Sequence, residues 1–310
     1  MKHLFISDPL ESVKAYKDTS YFLMLAAYIR GHEIYHVNSA DLAVDHNQVT
    51  GPLQRTYVHS NNDKPFSIEE GKFQSLDSMD VIWIRTDPPV NRTYFYATLL
   101  LDLLPSNVQI INRPSTLRDW NEKLSALQYP KWTPRTLVSR DLELIREFSA
   151  EFSRVTIKPI DGHGGVGIIF ASSNDRNFDE RISEATHHGA HWIIVQEYLS
   201  AAVDGDKRIL ILNGKPLGAI LRLHSDDAEL NNLDQGGNAL PSSLTQRDMD
   251  ICDVLAEDLI SGGIVFAGID VIGGMLIEIN ITSPTGLQEM TRFDGVSYHE
   301  QIIASTENTM

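Results

Sequence analysis

The segment from Ile264 to Thr285, IVFAGIDVIGGMLIEINITSPT, constrains the fold more tightly than any other stretch of the chain. Its glycine pair marks a tight turn between two apolar runs, so it reads as a β-hairpin. Side chains alternate between the two faces of a strand, so the register decides where Asp270, Glu278 and Asn280 lie. A two-residue Gly273-Gly274 turn puts Asp270 and Glu278 on opposite faces. A three-residue connection, Gly273-Gly274-Met275, sets Asp270 across from Glu278, with Asn280 two residues on along the same face. That register leaves Val271, Ile277, Ile279 and Ile281 as a consistent core face, and it is the one we expect. Two carboxylates and an amide on one face are hard oxygen donors, suited to Mg²⁺ with Mn²⁺ as a substitute. The bland alternative is a pair of solvated carboxylates, and the wholly apolar opposite face argues against it.

A chain of 310 residues can bury a sizeable core and divide into two or three subdomains. Lys and Arg total 26 against 42 Asp and Glu, a formal net charge of −16, which argues against a nucleic-acid backbone as partner. A nucleotide needs only a local cationic cluster and stays open. No apolar run is long enough to span a bilayer, and MKHLFISDP meets an acidic residue too early for a signal peptide. One cysteine, Cys252, excludes an internal disulfide and fits a reducing cytoplasm. It falls in an amphipathic helix predicted over Thr245 to Leu259, where a buried, inert thiol is expected.

The N-terminal part reads as a βαβ opening, which implies a parallel sheet. Strands are predicted at His3–Ile6 and Glu33–Val37 around a helix at Tyr21–Arg30 capped by Asp18 or Thr19 and closed by Gly31. Residues 41–72 are polar and irregular, a loop or an extra hairpin. A strand at Val81–Arg85, a helix at Thr93–Leu104 and a strand at Val108–Ile111 complete an α/β unit. A helix is expected over Ser115–Leu127. Beyond it, strands alternate with helices in a mixed or antiparallel, α+β manner. We expect an N-terminal α/β domain (1–120), a central lid (121–200) and a C-terminal part with the metal site (201–310).

Gly162 to Gly167, GHGGVG, matches G-x-G-x-x-G, yet it lies mid-chain between two predicted strands rather than after the first strand. A glycine-rich loop there is a flap whose N–H groups, Gly162, Gly164 and Gly165 among them, can close over phosphates. Lys158, closing the strand that leads into it, can place an ammonium on those phosphates. Lys123 is a second such lysine, though alone it reads as a solvated helix residue. Gln196, Glu197, Tyr198 and Leu199 end a buried strand and can lie along an adenine. Arg208, in the segment that includes Asp206, and Arg222 on the next strand can hold a transferring phosphoryl group, against a plain salt bridge for either alone.

These residues resemble the ATP-grasp superfamily and, within it, the bacterial type of glutathione synthetase. The match is carried by DPP at Asp87–Pro89, NRPSTLRDWNEK at Asn112–Lys123 and IKPIDGHGGVGI at Ile157–Ile168. It continues with QEYL at Gln196–Leu199, DGDKRILI at Asp204–Ile211 and GIDVIGGMLIEINITSPT at Gly268–Thr285. The resemblance implies an α/β domain followed by an α+β ATP-grasp fold. It implies a ligase that joins the carboxylate of γ-glutamylcysteine to glycine through an acylphosphate, releasing ADP and phosphate. It also implies Lys123, Lys158, the flap glycines, Gln196–Leu199 and Asp206 as ATP-binding, with Asp270, Glu278 and Asn280 as Mg²⁺ ligands. Arg208 and Arg222 become catalytic, and Asp87, Ser283, Pro284 and Thr285 become substrate-binding. A cytoplasmic homo-oligomer without membrane or nucleic-acid partners is implied too.

The chain departs from the family pattern at three expected arginines, where Leu230, Asn238 and Gln288 stand. Each replacement removes a fixed positive charge from a region expected to face phosphate or substrate. A ligase with a different carboxylate or amine is therefore the first alternative. A non-catalytic nucleotide binder is the second, and the full metal and arginine set argues against it. A protein kinase with a glycine-rich flap ranks last, since no H-R-D or D-F-G segment is present.

Overall fold

The computed structural model describes residues 1–224 and 237–307. It opens with β1 (Lys2–Ile6), α1 (Thr19–Ile29) and β2 (Glu33–Val37). Asp18 caps α1 by accepting from the Tyr21 N–H at 2.7 Å, which satisfies one of the helix's free donors. Gly31 follows the helix with φ of +86°, a conformation that costs other residues more. The irregular stretch is the extra hairpin rather than a loop: β3 (Ala43–Asp45) and the long β4 (Gln48–Val58), flanked by β5 (Phe66–Ile68) and β6 (Lys72–Ser75). Then come β7 (Val81–Ile84), α2 (Arg92–Leu101) and β8 (Gln109–Ile111). Strands β2, β1, β7 and β8 run parallel, and β4 joins β2 antiparallel.

The helix expected over Ser115–Leu127 is interrupted. α3 covers only Pro114–Asp119, and a 3₁₀ turn follows at Ser125–Gln128. Between them the side-chain oxygen of Asn121 accepts from the N–H groups of Lys123 and Leu124 at 3.1 and 3.0 Å. Such local capping competes with helix continuation.

Next come β9 (Thr136–Ser139), α4 (Leu142–Ala150), β10 (Val155–Pro159), β11 (Ile169–Ala171), α5 (Phe178–Ala185) and β12 (Ile193–Glu197). They form an antiparallel sheet in the order β11-β10-β12-β9. This unit has its own small core, built on Ile145, Val155, Ile157, Ile182 and Val195.

The C-terminal part contains β13 (Asp206–Leu212), β14 (Lys215–Leu223), β15 (Asn238–Ser242), α6 (Gln246–Ser261), β16 (Phe266–Ile272), β17 (Met275–Asn280), α7 (Leu287–Asp294) and α8 (Tyr298–Glu307). Its sheet is antiparallel in the order β15-β14-β13-β16-β17. Thr245 and Asp248 form a reciprocal capping box at the start of α6. Cys252 on α6 is fully buried, and burial pushes its thiol up to about 12, which makes it inert.

The N-terminal and C-terminal sheets share apolar clusters, with Leu4, Ile6 and Ile82 in the same cluster as Ile209, Ile269 and Ile279. Asn112, just past β8, fastens the joint. Its amide nitrogen donates to the carbonyls of Phe266 and Ile281, both at 2.7 Å. Its oxygen accepts from the N–H groups of Val265 and Phe266 at 2.9 and 3.0 Å. The opening between the three sheets is the cleft described next.

Candidate active site

The hairpin reaches its register by a different route from the expected one. Ile272 pairs directly with Met275, so the turn is the two-residue Gly273-Gly274, with φ of +58° and +76°. An irregularity after Val271↔Leu276 then sets Asp270 opposite Glu278. Ile277 is the extra residue of a β-bulge. The bulge moves Ile277 off the core face to line the cleft beside Glu278, and Leu276, fully buried, takes the core position. Val271, Ile279 and Ile281 are buried in the core.

Sheet register also assembles the charges beside Asp270. Arg208 on β13 is the direct cross-strand partner of Asp270, and Asp206 is that of Arg222 on β14. Arg208 grips Asp270 with two parallel bonds, Nε to Oδ1 at 2.5 Å and Nη2 to Oδ2 at 2.9 Å. Arg222 Nη2 reaches Asp206 Oδ2 at 2.5 Å and Asp270 Oδ2 at 2.9 Å. Gly205 turns the chain into β13 with φ of +114°, and a Cβ there would meet Leu221 at 2.7 Å and the Arg222 carbonyl at 2.9 Å.

Burial acts against ionisation of both aspartates, and their neighbours separate them. For Asp270 the two guanidinium groups outweigh burial and hold its carboxyl far below the usual range. For Asp206 burial prevails over Arg222, the Asp270 charge adds to it, and the value rises to about 6. Asp206 Oδ1 is buried without a hydrogen-bond partner.

Lys158, buried at the end of β10, donates to Gln196 Oε1 at 2.9 Å, and Gln196 Nε2 donates to Thr136 Oγ1 at 2.8 Å. Burial pulls the Lys158 ammonium below its ordinary value. Lys123 is not a solvated helix residue: it donates to the Gly162 carbonyl at the base of the flap and lies 3.7 Å from Glu278 Oε1. The flap joins β10 to β11, with positive φ at Gly164, Gly165 and Gly167 and an exposed Val166 at its tip. Beyond Lys158, Phe170 and Tyr198 meet edge to face at 5.6 Å between centroids, and Ile168 and Leu199 also line the cleft there.

At the far end of the cleft lie Asp87 and Ser283–Thr285. Buried Arg85 donates from Nη2 to the Pro284 carbonyl at 3.1 Å and from Nε to Ser20 Oγ at 3.0 Å. Arg208 Nη1 donates to the Thr285 carbonyl at 3.3 Å.

Every residue given a binding, catalytic or metal role from the sequence lines one cavity of about 750 Å³: both lysines, the flap glycines, Gln196–Leu199, Asp206, both arginines, Asp270, Glu278, Asn280, Asp87 and Ser283–Thr285. Of the three replaced arginines, Leu230 lies outside the described residues. Asn238 starts β15 in an exposed position, and Gln288 sits on α7 with Nε2 donating to the Ala15 carbonyl at 2.8 Å.

Sequence reasoning missed Glu122, Lys14, Lys17, Asp18 and Glu289, which also line the cavity. Glu122 Oε1 accepts from the N–H groups of Ile281 and Thr282 and from Thr282 Oγ1, at 3.0, 3.1 and 2.8 Å. Its signal was its place beside Lys123. The other four come from segments with no local pattern that points to a site.

The donors suit a hard cation. Asn280 Nδ2 donates to Asp270 Oδ2 at 3.3 Å, which leaves the amide oxygen as its end for a cation. With the carboxylates of Asp270 and Glu278 and the orphaned Asp206 Oδ1, all available donors are oxygens. No cluster of three or more His, Cys, Asp or Glu with metal-binding geometry occurs among the described residues, so a cation here would also need ligands from phosphate or water.

Comparison with known proteins agrees along the whole length. The prokaryotic glutathione synthetase N-terminal domain matches residues 1–118, and the ATP-grasp domain of the same family matches residues 122–295. A glutathione synthetase of Gloeobacter violaceus is 41% identical over 309 residues, covering 98% of this chain and 95% of that protein. One from Nostoc is 38% identical over 325 residues, covering 100% and 99%. Among solved structures, D-cycloserine synthetase DcsG superposes with a TM-score of 0.68 at 17% identity, covering 98% of this chain and 99% of that one. The macrocyclase MdnC gives 0.63 at 15% identity, with full coverage of both. At such identities these two share the fold alone.

Proposed function

The chain belongs to the prokaryotic glutathione synthetase family, and on that premise we propose that it joins γ-glutamylcysteine to glycine at the expense of ATP. It is an ATP-dependent C–N ligase acting on small molecules, with ATP as co-substrate. The observation that carries this reading is the convergence of Lys123, Lys158, Arg208, Arg222, Asp270, Glu278 and Asn280 on one cleft between three sheets.

In the proposed site, Phe170, Tyr198, Leu199 and Ile277 give the adenine an apolar seat. The Gln196–Leu199 segment, which lines the cleft, reads its polar rim. Lys158 and Lys123 supply positive charge to the phosphates, and the flap's N–H groups close over them. Asp270, Glu278 and Asn280 would hold Mg²⁺, or Mn²⁺ in its place, which supplies charge neutralisation between the phosphates.

Phosphoryl transfer to the cysteinyl carboxylate needs in-line positioning and stabilisation of the equatorial oxygens rather than proton shuttling. Arg208 and Arg222 meet that need because their partner Asp270 fixes their planes before substrate arrives. The carboxylate takes the γ-phosphoryl group, glycine's amine attacks the acylphosphate, and phosphate leaves with the C–N bond formed. Water must be kept from the acylphosphate, and the flap over the cleft serves that purpose.

We assign residues 1–120, 121–200 and 201–310 as the working parts, the middle one acting as the lid. The enzyme is proposed to be cytoplasmic and homo-oligomeric, with no membrane or nucleic-acid partner. Among the described residues no helix is long and apolar enough to cross a membrane, and the net charge of −16 disfavours nucleic acid.

The test is phosphate release with Mg-ATP, γ-glutamylcysteine and glycine, with mass spectrometry of the product. Glutathione is expected. ATP cleavage only with other carboxylates or amines would favour a ligase of altered specificity, the reading that Gln288 in place of an arginine supports.

A further inference from the structure

The cleft has two chemically different ends. One carries the lysines, the flap and the aromatic wall. The other, formed by the Leu10–Asp18 segment, the Ser283–Gly286 loop and the first turn of α7, holds Lys14, Lys17, Asp18 and Glu289. Both signs of charge meet there at the end away from the aromatic wall. A γ-glutamyl dipeptide presents a matching pair, because its glutamyl residue keeps a free α-ammonium and a free α-carboxylate.

We infer that Glu289 is the residue that binds the α-ammonium of the γ-glutamyl group and so selects the acid substrate. The inference rests on the glutathione-synthetase reading of the same site. Glu289 lines the cleft, yet its Oε2 atom is buried and has no hydrogen-bond partner. A carboxylate oxygen withdrawn from water without a donor is costly, and a charged donor in the cleft removes that cost. Burial raises the Glu289 carboxyl above its ordinary value, and its own backbone N–H, Arg292 and Lys17 oppose this without cancelling it. A carboxylate in the first turn of a helix is favoured by the free N–H groups there. That explanation accounts for the carboxylate's place in the first turn and still leaves Oε2 without a donor.

The other two carboxylates at this end are differently placed. Asp18 Oδ1 caps α1 through the Tyr21 N–H, and Asp87 follows β7 in an exposed position. Gln288 acts as a positioning residue: its bond to the Ala15 carbonyl ties the first turn of α7 to the segment carrying Lys14 and Lys17. Lys14 and Lys17 then face the α-carboxylate.

The experiment compares γ-glutamylcysteine with glutarylcysteine, which lacks only the α-amino group, in the wild-type enzyme and in Glu289→Gln. Loss of a hydrogen bond between charged partners corresponds to about 10- to 100-fold. Wild type should prefer γ-glutamylcysteine by that factor in kcat/KM. In Glu289→Gln the preference should collapse towards unity through a raised KM for γ-glutamylcysteine, while KM for ATP stays within about twofold. A ratio that survives the substitution, or an equal loss on both acids, overturns the inference. Equal use of both acids by the wild-type enzyme overturns it without any variant. Failure of the wild-type enzyme to form glutathione would instead overturn the functional reading beneath it.

Discussion

At the scale of single residues, Asp206 and Asp270 show how one site drives two like groups apart. Asp270 is held ionised by two guanidinium groups, whereas Asp206 is lifted from the ordinary 3.8 to about 6 by burial and by its neighbour. The fold therefore favours protonated Asp206. Its contribution to stability is greatest below pH 4 and is lost as pH rises through about 6. Asp206→Asn, which mimics the protonated form, should melt higher than wild type at pH 7.5 and at the same temperature near pH 4. Its turnover should fall about 10- to 100-fold, the usual effect of removing a group that supports a cation site. Thermal melts at the two pH values, with a phosphate-release assay, check both halves. Glu278→Gln should abolish turnover with the circular dichroism spectrum unchanged. The variant should also lose the Mg²⁺-dependent part of the melting-temperature rise on adding ATP, and in wild type EDTA should remove the same part. Persistent activity in Glu278→Gln would remove Glu278 from the cation site.

At the scale of elements, the hairpin shows what the sequence carries and what it conceals. Alternation of polar and apolar residues sufficed to put Asp270 opposite Glu278 with Asn280 beyond. It could not say whether the odd residue sits in the turn or in the ladder, because both give the same pairing of Asp270. The difference appears at Ile277, which the three-residue turn buries in the core and the bulge delivers to the cleft. Strand β4 was illegible for another reason. Its partners β2, β3, β5 and β6 lie at varied distances along the chain, and no local pattern records them. Lys14, Lys17 and Glu289 were invisible for the same reason, since they meet only through tertiary packing. The bulge leads to a prediction of its own. Ile277→Ser should raise KM for ATP several-fold, about what loss of a buried aliphatic contact predicts, and leave KM for the dipeptide unchanged. A rise in both would mean that the bulge shapes the whole hairpin rather than the nucleotide seat alone.

At the scale of the whole molecule, the cleft exists only because separate sheets are held at fixed places around it. The central sheet carries its own core, so the flap and the aromatic wall can belong to a unit that folds around itself. The N-terminal and C-terminal sheets instead share a core and are joined by polar bonds, of which Asn112 is the most saturated. Arg85 is the bond that bears most directly on chemistry. It leaves the parallel sheet at the end of β7, contacts Ser20 at the start of α1, and reaches Pro284 in the loop that borders the substrate end. Burial lowers its pKa, while the charges of Asp87 and Asp18 act to sustain it. Replacing a buried ion by an apolar group can be neutral when its partners leave too, but here both aspartates and the Pro284 carbonyl would remain. Arg85→Leu should therefore cost about 3 kcal/mol, from two lost hydrogen bonds and an uncompensated acidic pair, and lower the melting temperature by several degrees. Because the loop rather than the nucleotide end loses its anchor, KM for the acid substrate should rise about tenfold or more while KM for ATP holds. Equal loss at both ends would show that the joint between the sheets acts as one rigid unit, with Arg85 serving all of it.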